Sequence, residues 1–211
     1  MQHRLLFYFF TLWCSTFFCC GNNVAQDLRE KATAKHNEAV KVYMEAKLKN
    51  FSADSIQLAM DLINESVVID STYVWAYQTK IQFLTNNNQY EDALDVINSA
   101  FNCGLEKDNP ILFCKRGILY EKLNQPNHAK TDFFQAIPLY NKWIERYPDD
   151  YNALSIRAIM IYLADGKEAG IQAYNELLNK PLKDIQRKDV EMILSMITTG
   201  NRNKIIESIN P

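Results

Sequence analysis

Apolar side chains recur along most of this chain at spacings of three and four, the period of a helix with one buried face. From Trp75 to Asn87 they fall at Tyr77, Ile81 and Leu84. From Ile111 to Leu123 the same phase carries Phe113, Gly117 and Tyr120, and from Tyr151 to Leu163 it carries Leu154, Ala158 and Ile161. Each stretch is followed by a second one marked by a small residue: Ala93 within 89–100, Ala129 within 127–136, Gly170 within 170–177, with Ala59 in an earlier copy at 55–66. Breaks fall between them. Asn109-Pro110 offers a cap and a first-turn proline, Gly104 is placed to close the preceding helix, and 147–150 and Asp165-Gly166 are further interruptions. Six Gly and six Pro in 211 residues leave long stretches free of helix breakers. The predicted protein is all-α.

The small residue returns after 34 positions (Ala59 to Ala93), then 36 (Ala129), then 41 (Gly170). A fixed period of this size is the signature of a stacked-repeat architecture. The two extra residues fit the loop at 106–109. Seven extra residues are close to two helical turns, so they lengthen a helix without rotating its apolar face. A small residue on each helix lets a pair approach to about 8–10 Å while a large neighbour fills the groove. One pair cannot bury both its faces, so pairs stack into a superhelix.

The pattern resembles the tetratricopeptide repeat family. The third copy carries it most fully: Arg116-Gly117, Tyr120, Ala129, Asp132-Phe133 and Ala136-Ile137. Gly117 stands where the family places its small residue between helix A and helix B. Copy two keeps Tyr77, Leu84, Tyr90, Ala93, Ile97 and Ala100. Copies one and four depart from the pattern, with Lys47 on the small-residue position of copy one and Gly170 on the alanine position of copy four. The resemblance spans about residues 40 to 182 and implies a right-handed superhelix of stacked antiparallel helix pairs. Residues 25–182 are expected to form the repeats, with a first helix prolonged backwards through Leu28, Ala32, Ala39, Val40 and Tyr43. Residues 183–211 are expected to form capping helices. Pro138 lies inside the lengthened helix, where a kink or break is expected.

Residues 1–20 form a different kind of segment: a cationic start followed by an uncharged run from Leu5 to Cys20. This is the form of a secretory signal. A transmembrane anchor is the alternative reading, but sixteen residues span only about 24 Å of a roughly 30 Å hydrocarbon layer. The segment's end, Phe17-Phe18-Cys19-Cys20-Gly21, resembles a bacterial lipoprotein processing site, with Phe17 and Phe18 departing from the usual residues. The resemblance implies a lipid on Cys20, a short tether over 21–24, and a place in the bacterial cell envelope, on the periplasmic side of the outer membrane. Two or three acyl chains would hold the protein to a membrane where one does not.

Charge and residue chemistry then narrow the function classes. With 23 basic and 25 acidic residues the net charge is -2, which argues against a nucleic-acid binder. No metal-binding His or Cys spacing, phosphate loop or nucleophile elbow occurs, so no enzyme, metal or cofactor is expected. His36 and His128 are read as surface or packing residues, and Cys103 and Cys114 as buried thiols rather than a disulfide. Asp54-Ser55-Ile56 and Asp70-Ser71-Thr72 resemble the short glycan acceptor of Bacteroidota envelope proteins, although Asp and Ser also belong at helix N-caps. By its register, the tetratricopeptide resemblance implies a concave groove lined by the A helices. Copy one would supply Met44, Glu45 and Leu48, and copy two Trp75, Gln78, Thr79 and Gln82. Copy three would supply Cys114, Lys115, Ile118, Glu121 and Lys122, and copy four Ser155, Ile156, Ile159 and Tyr162. Trp75 is equally readable as a core residue. Met44 and Leu48 stand where chaperone-docking members carry charged and amide residues, so that specialised activity is not expected. A groove of apolar and amide side chains suits a segment of another envelope protein or peptide. The alternative is a lipoprotein that captures a small ligand, a sugar or a peptide, in a deep polar pocket.

Overall fold

The computed structural model describes the backbone of residues 2–48 and 53–209 and the side chains of residues 23–48 and 53–209. Among them it contains helices and no strand. They are α1 (Gln2–Leu48), α2 (Ala53–Ile69), α3 (Val74–Asn86), α4 (Tyr90–Asn102), α5 (Pro110–Lys122), α6 (Pro126–Arg146), α7 (Tyr151–Asp165), α8 (Lys167–Leu178), α9 (Asp184–Thr198) and α10 (Arg202–Ser208). The side chain of Cys20 lies outside the described residues. Residues 21–24 belong to the backbone of α1.

Local chemistry sets the boundaries. The Asn109 side chain accepts from the Ile111 amide at 3.1 Å, with Pro110 in the first turn of α5. Asp150 caps α7 by accepting from the Ala153 amide at 3.1 Å. Gly104, at φ +72°, closes α4 and lets Leu105 donate back to the Ala100 carbonyl. Asn88 and Asn124 take the same left-handed conformation at φ 58° and 56°. Each is followed by a glutamine whose amide reaches five residues back, Gln89 to Leu84 and Gln125 to Tyr120.

The chain forms two compact units, 1–83 and 84–211. In the first, α1 and α2 are antiparallel: Ser66 Oγ donates to the Ala32 carbonyl at 2.7 Å, and Lys35 pairs with Glu65 at 2.8 Å. α3 runs parallel to α1, because contacts advance together along both. Arg29 bonds Asp70 and Thr72 just ahead of α3, His36 bonds Thr79 at 2.8 Å, and the Tyr43 ring stacks on Phe83 at 3.9 Å. Ala32, Ala39, Ala59 and Ala76 are fully buried and permit this close approach.

In the second unit α5 packs on α6, α6 on α7, α7 on α8 and α8 on α9. Each successive pair is antiparallel. Arg116, Gly117 and Tyr120 of α5 meet Asp132, Phe133 and His128 of α6. Ser155 and Tyr162 of α7 meet Tyr174 and Gly170 of α8. Tyr151 Oη at the start of α7 donates to the Gln186 carbonyl at the start of α9, so those two helices run parallel. Ala93 and Ala129 are fully buried while Asp92 and Lys130 are exposed, as the repeat register requires. α6 has 21 residues against 13 in α4, so the insertion does lengthen a helix. Of the kink or break expected at Pro138, the break does not occur. α6 continues through it, since Pro138 lies on the exposed face where water can serve the carbonyl that loses its partner.

Arg116 ties three helices of this unit together, through Asp132 and Asn98. The Asp132 carboxylate accepts two bonds of 2.8 Å from Arg116, whose guanidinium also reaches Asn98 at 3.2 Å and lies 3.8 Å above the Phe101 ring. Cys103 and Cys114 carry no disulfide. Cys114 is buried as expected, whereas Cys103 is exposed, because it follows α4 at its solvated end.

Candidate interaction surface

In the first unit the parallel helices α1 and α3 present the residues assigned to a groove. Ala76, Tyr77 and Ile81 turn the apolar face of α3 into the core. Trp75, Gln78 and Gln82, spaced by three and four, form another stripe of α3. Trp75 is 58% exposed, and the two glutamines are half-buried. Trp75 is therefore no core residue. Near the end of α1, Met44 and Leu48 are also exposed, Leu48 at 84%. Thr79 is committed to His36. Burial holds the His36 imidazole below its ordinary pKa, so this pair is neutral.

The second unit is arranged differently. Ile118, Ile159 and Tyr162 are buried in the free chain, Ile118 at 1% exposure. They share one apolar cluster with Ile205, Ile206 and Ile209 from α10 and its end. Arg202, the first residue of α10, donates to Glu121 of α5 and to the Leu163 carbonyl of α7 at 3.3 Å, and lies over the Tyr162 ring at 6.0 Å. The A-helix residues expected to be open here are instead buried, in a cluster that also takes in the apolar side chains of α10. Sequence periodicity placed 183–211 only as a cap. The signal that could have placed α10 on this face is the spacing of Arg202, Ile205, Ile206 and Ile209 at i, i+3, i+4 and i+7, the anchor pattern of a helix lying in a groove.

Lys115, also assigned to the groove, is buried. Desolvation lowers its ammonium pKa to about 8. The adjacent Cys114 thiol is pushed up to about 12 by burial, so it stays protonated and unreactive at neutral pH. Among the described residues no group of three His, Cys, Asp or Glu side chains is placed to hold a metal ion. Asp61, Asn64, Glu65, Val68 and Ile69 line a shallow, open depression on α2. Asp70 of the second glycan-like triplet is occupied with Arg29 and with the backbone and hydroxyl of Thr72, and Asp54 sits in the first turn of α2.

No family profile matches the chain, and no curated protein does. Among solved structures it is similar to YrrB, a TPR protein with an unusual peptide-binding site, at 16% identity over 81% of this chain and 97% of that one, TM-score 0.38. It is similar to pilF of Pseudomonas aeruginosa at 14% identity over 89% of both chains, TM-score 0.49. A tetratricopeptide repeat protein of Parabacteroides merdae matches at 11% identity over 87% of this chain and 90% of that one, TM-score 0.36. At these scores the fold assignment rests on this chain's own helix pairs and its buried Ala93, Ala129 and Gly117.

Proposed function

We propose that this chain is a protein-binding scaffold of tetratricopeptide type, tethered to the bacterial cell envelope by a lipid on Cys20. The observation that carries the binding role is Trp75. A tryptophan left in water on a helix face costs apolar exposure that a partner would relieve, and tryptophan is among the side chains that dominate interface energies. Met44 and Leu48 add flexible apolar surface on α1, and Gln78 and Gln82 offer amide groups beside Trp75. Such a face suits an extended segment of another protein.

The test is co-purification from envelope extracts with Trp75→Ala and with Met44→Glu. Both substitutions fall on exposed side chains, so the circular dichroism melt should move little. Partner recovery should fall at least ten-fold for the pair together. Full recovery by a folded double variant would remove this face from consideration. The tether is tested separately, by substitution of Cys20; among the described residues no helix is long and apolar enough to cross a membrane.

A further inference from the structure

We infer that the A-helix face of the second unit is a helix-binding cleft, filled in the free chain by α10 as a releasable occupant. The partner it takes is an amphipathic segment built like α10, a basic residue followed at three, four and seven positions by branched aliphatic side chains. This deepens the scaffold reading, on which it rests, by naming a second surface and the chemistry of its ligand.

The cleft is defined by what sits in it. Ile118 of α5 and Ile159 and Tyr162 of α7 are buried with Ile205, Ile206 and Ile209, and Glu121 takes the Arg202 guanidinium at the mouth. All four anchors fall on one stripe of a helix. The opposite positions, Asn203, Lys204, Glu207 and Ser208, are exposed. α10 therefore binds as a ligand helix does, by one apolar stripe and one charge.

Its attachment is also that of an occupant that can leave. Seven residues are too few to hold a helix alone in water, so α10 is helical only while the cleft supports it. It joins α9 through Thr199-Gly200-Asn201, where exposed Gly200 sits at φ +72° with nothing within 4 Å of a Cβ position. The Arg202 side chain is 36% exposed, so water can take over its guanidinium. α9 keeps its own buried Val190, Ile193 and Ile197, and Lys167 Nζ holds the Thr198 carbonyl at 2.6 Å. Release of α10 thus leaves the α7–α8–α9 stack in place and takes Ile205, Ile206 and Ile209 out of the cluster that holds Ile118, Ile159 and Tyr162. What remains is an apolar group with Glu121 at one end, complementary to the stated ligand.

Two measurements test this. On the intact full chain, amide hydrogen exchange should show Ile205 and Ile209 opening at least ten-fold faster than the interior amides of α7. Exchange of α10 and α7 together would make α10 a fixed cap and overturn the inference. In the second, a labelled synthetic peptide of residues 199–211 is titrated into the full chain and into the Arg202→Ala/Ile206→Asp variant, whose own helix is released. The folded variant should bind at least ten-fold tighter than the unaltered chain. Adding Glu121→Arg should abolish binding, and a peptide carrying Arg202→Glu should restore it. Absence of binding to the folded variant, or binding indifferent to Glu121→Arg, would overturn the inference. If the variant does not fold, the exchange measurement decides. Neither readout involves Trp75, so failure here leaves the first-unit surface standing, and failure there leaves this cleft standing.

Discussion

Gly117→Ala opposes two effects of different sign, and the structure says which wins. In an open helical position the change would stabilise by about 1 kcal/mol, because alanine is the better helix former. Here a Cβ on residue 117 would lie 2.4, 2.7 and 3.0 Å from three carbons of the Phe133 ring. That ring is fully buried, so it has no solvent side into which it can retreat. Either the ring leaves its rotamer or α5 and α6 move apart, which also stretches the paired Arg116–Asp132 contact one residue away. Overpacking of this kind costs roughly 1–3 kcal/mol. The 2.4 Å approach puts this site in the upper part of that range, about 2–3 kcal/mol, so after the gain in propensity the net expectation is a loss of about 1–2 kcal/mol. For the described second unit, of about 125 residues, that corresponds to a melting shift of roughly 3–6 °C. Urea denaturation of the full chain is the assay. Phe133→Leu should rescue part of the loss, with a coupling of about 1 kcal/mol in a double-mutant cycle. A stabilised Gly117→Ala chain would mean that the two helices do not meet here and that the register is wrong.

Other expectations follow from single sites. Asp132→Ala should cost about 3–5 kcal/mol, since it strands the Arg116 guanidinium between Phe101 and a buried cavity, and should be seen as a shifted urea midpoint. Lys115→Met should stabilise the chain at pH 7 by about 2–3 kcal/mol, because a lysine whose folded pKa falls from 10.5 to about 8 penalises the fold wherever the unfolded chain is protonated. The sign is that of a depressed base: the penalty is full below about pH 8 and disappears as pH rises towards 10.5. The difference in melting temperature between the two proteins should accordingly narrow across that window. Cys20→Ser should abolish metabolic lipid labelling and release the protein from membranes, while Cys19→Ser should change neither.

The A-helix and B-helix ladders were legible because they are written in residue size: Ala93 and Ala129 can be small only where helices touch, and both are fully buried. The cap at Asn109-Pro110 was legible for the same local reason, whereas 147–150 was legible only as a break and not as the cap that Asp150 supplies. The turns at Asn88-Gln89 and Asn124-Gln125 were not, although the dipeptide itself repeats after 36 residues, because asparagine is tolerated in many other settings. Nor could periodicity say which groove residues stay in water. Ile118 and Trp75 are both assigned to A-helix faces, yet Trp75 is exposed and Ile118 is buried in a cluster that reaches α10, more than eighty residues downstream. Burial by a distant segment leaves no trace in the helix that it covers. Arg116 escaped notice as a bridge because its partners, Asn98 and Asp132, lie on two other helices.

Photo-cross-linking in living cells tests the scaffold role most directly. A photoreactive phenylalanine analogue is placed at Trp75, and in parallel at Val68, which is 85% exposed but lies on α2. Both sites are exposed and apolar, and they differ in face. A scaffold working through the α1–α3 face gives a discrete protein adduct from position 75 and none above background from position 68. Equal adducts from both sites, or adducts from position 68 alone, would contradict it.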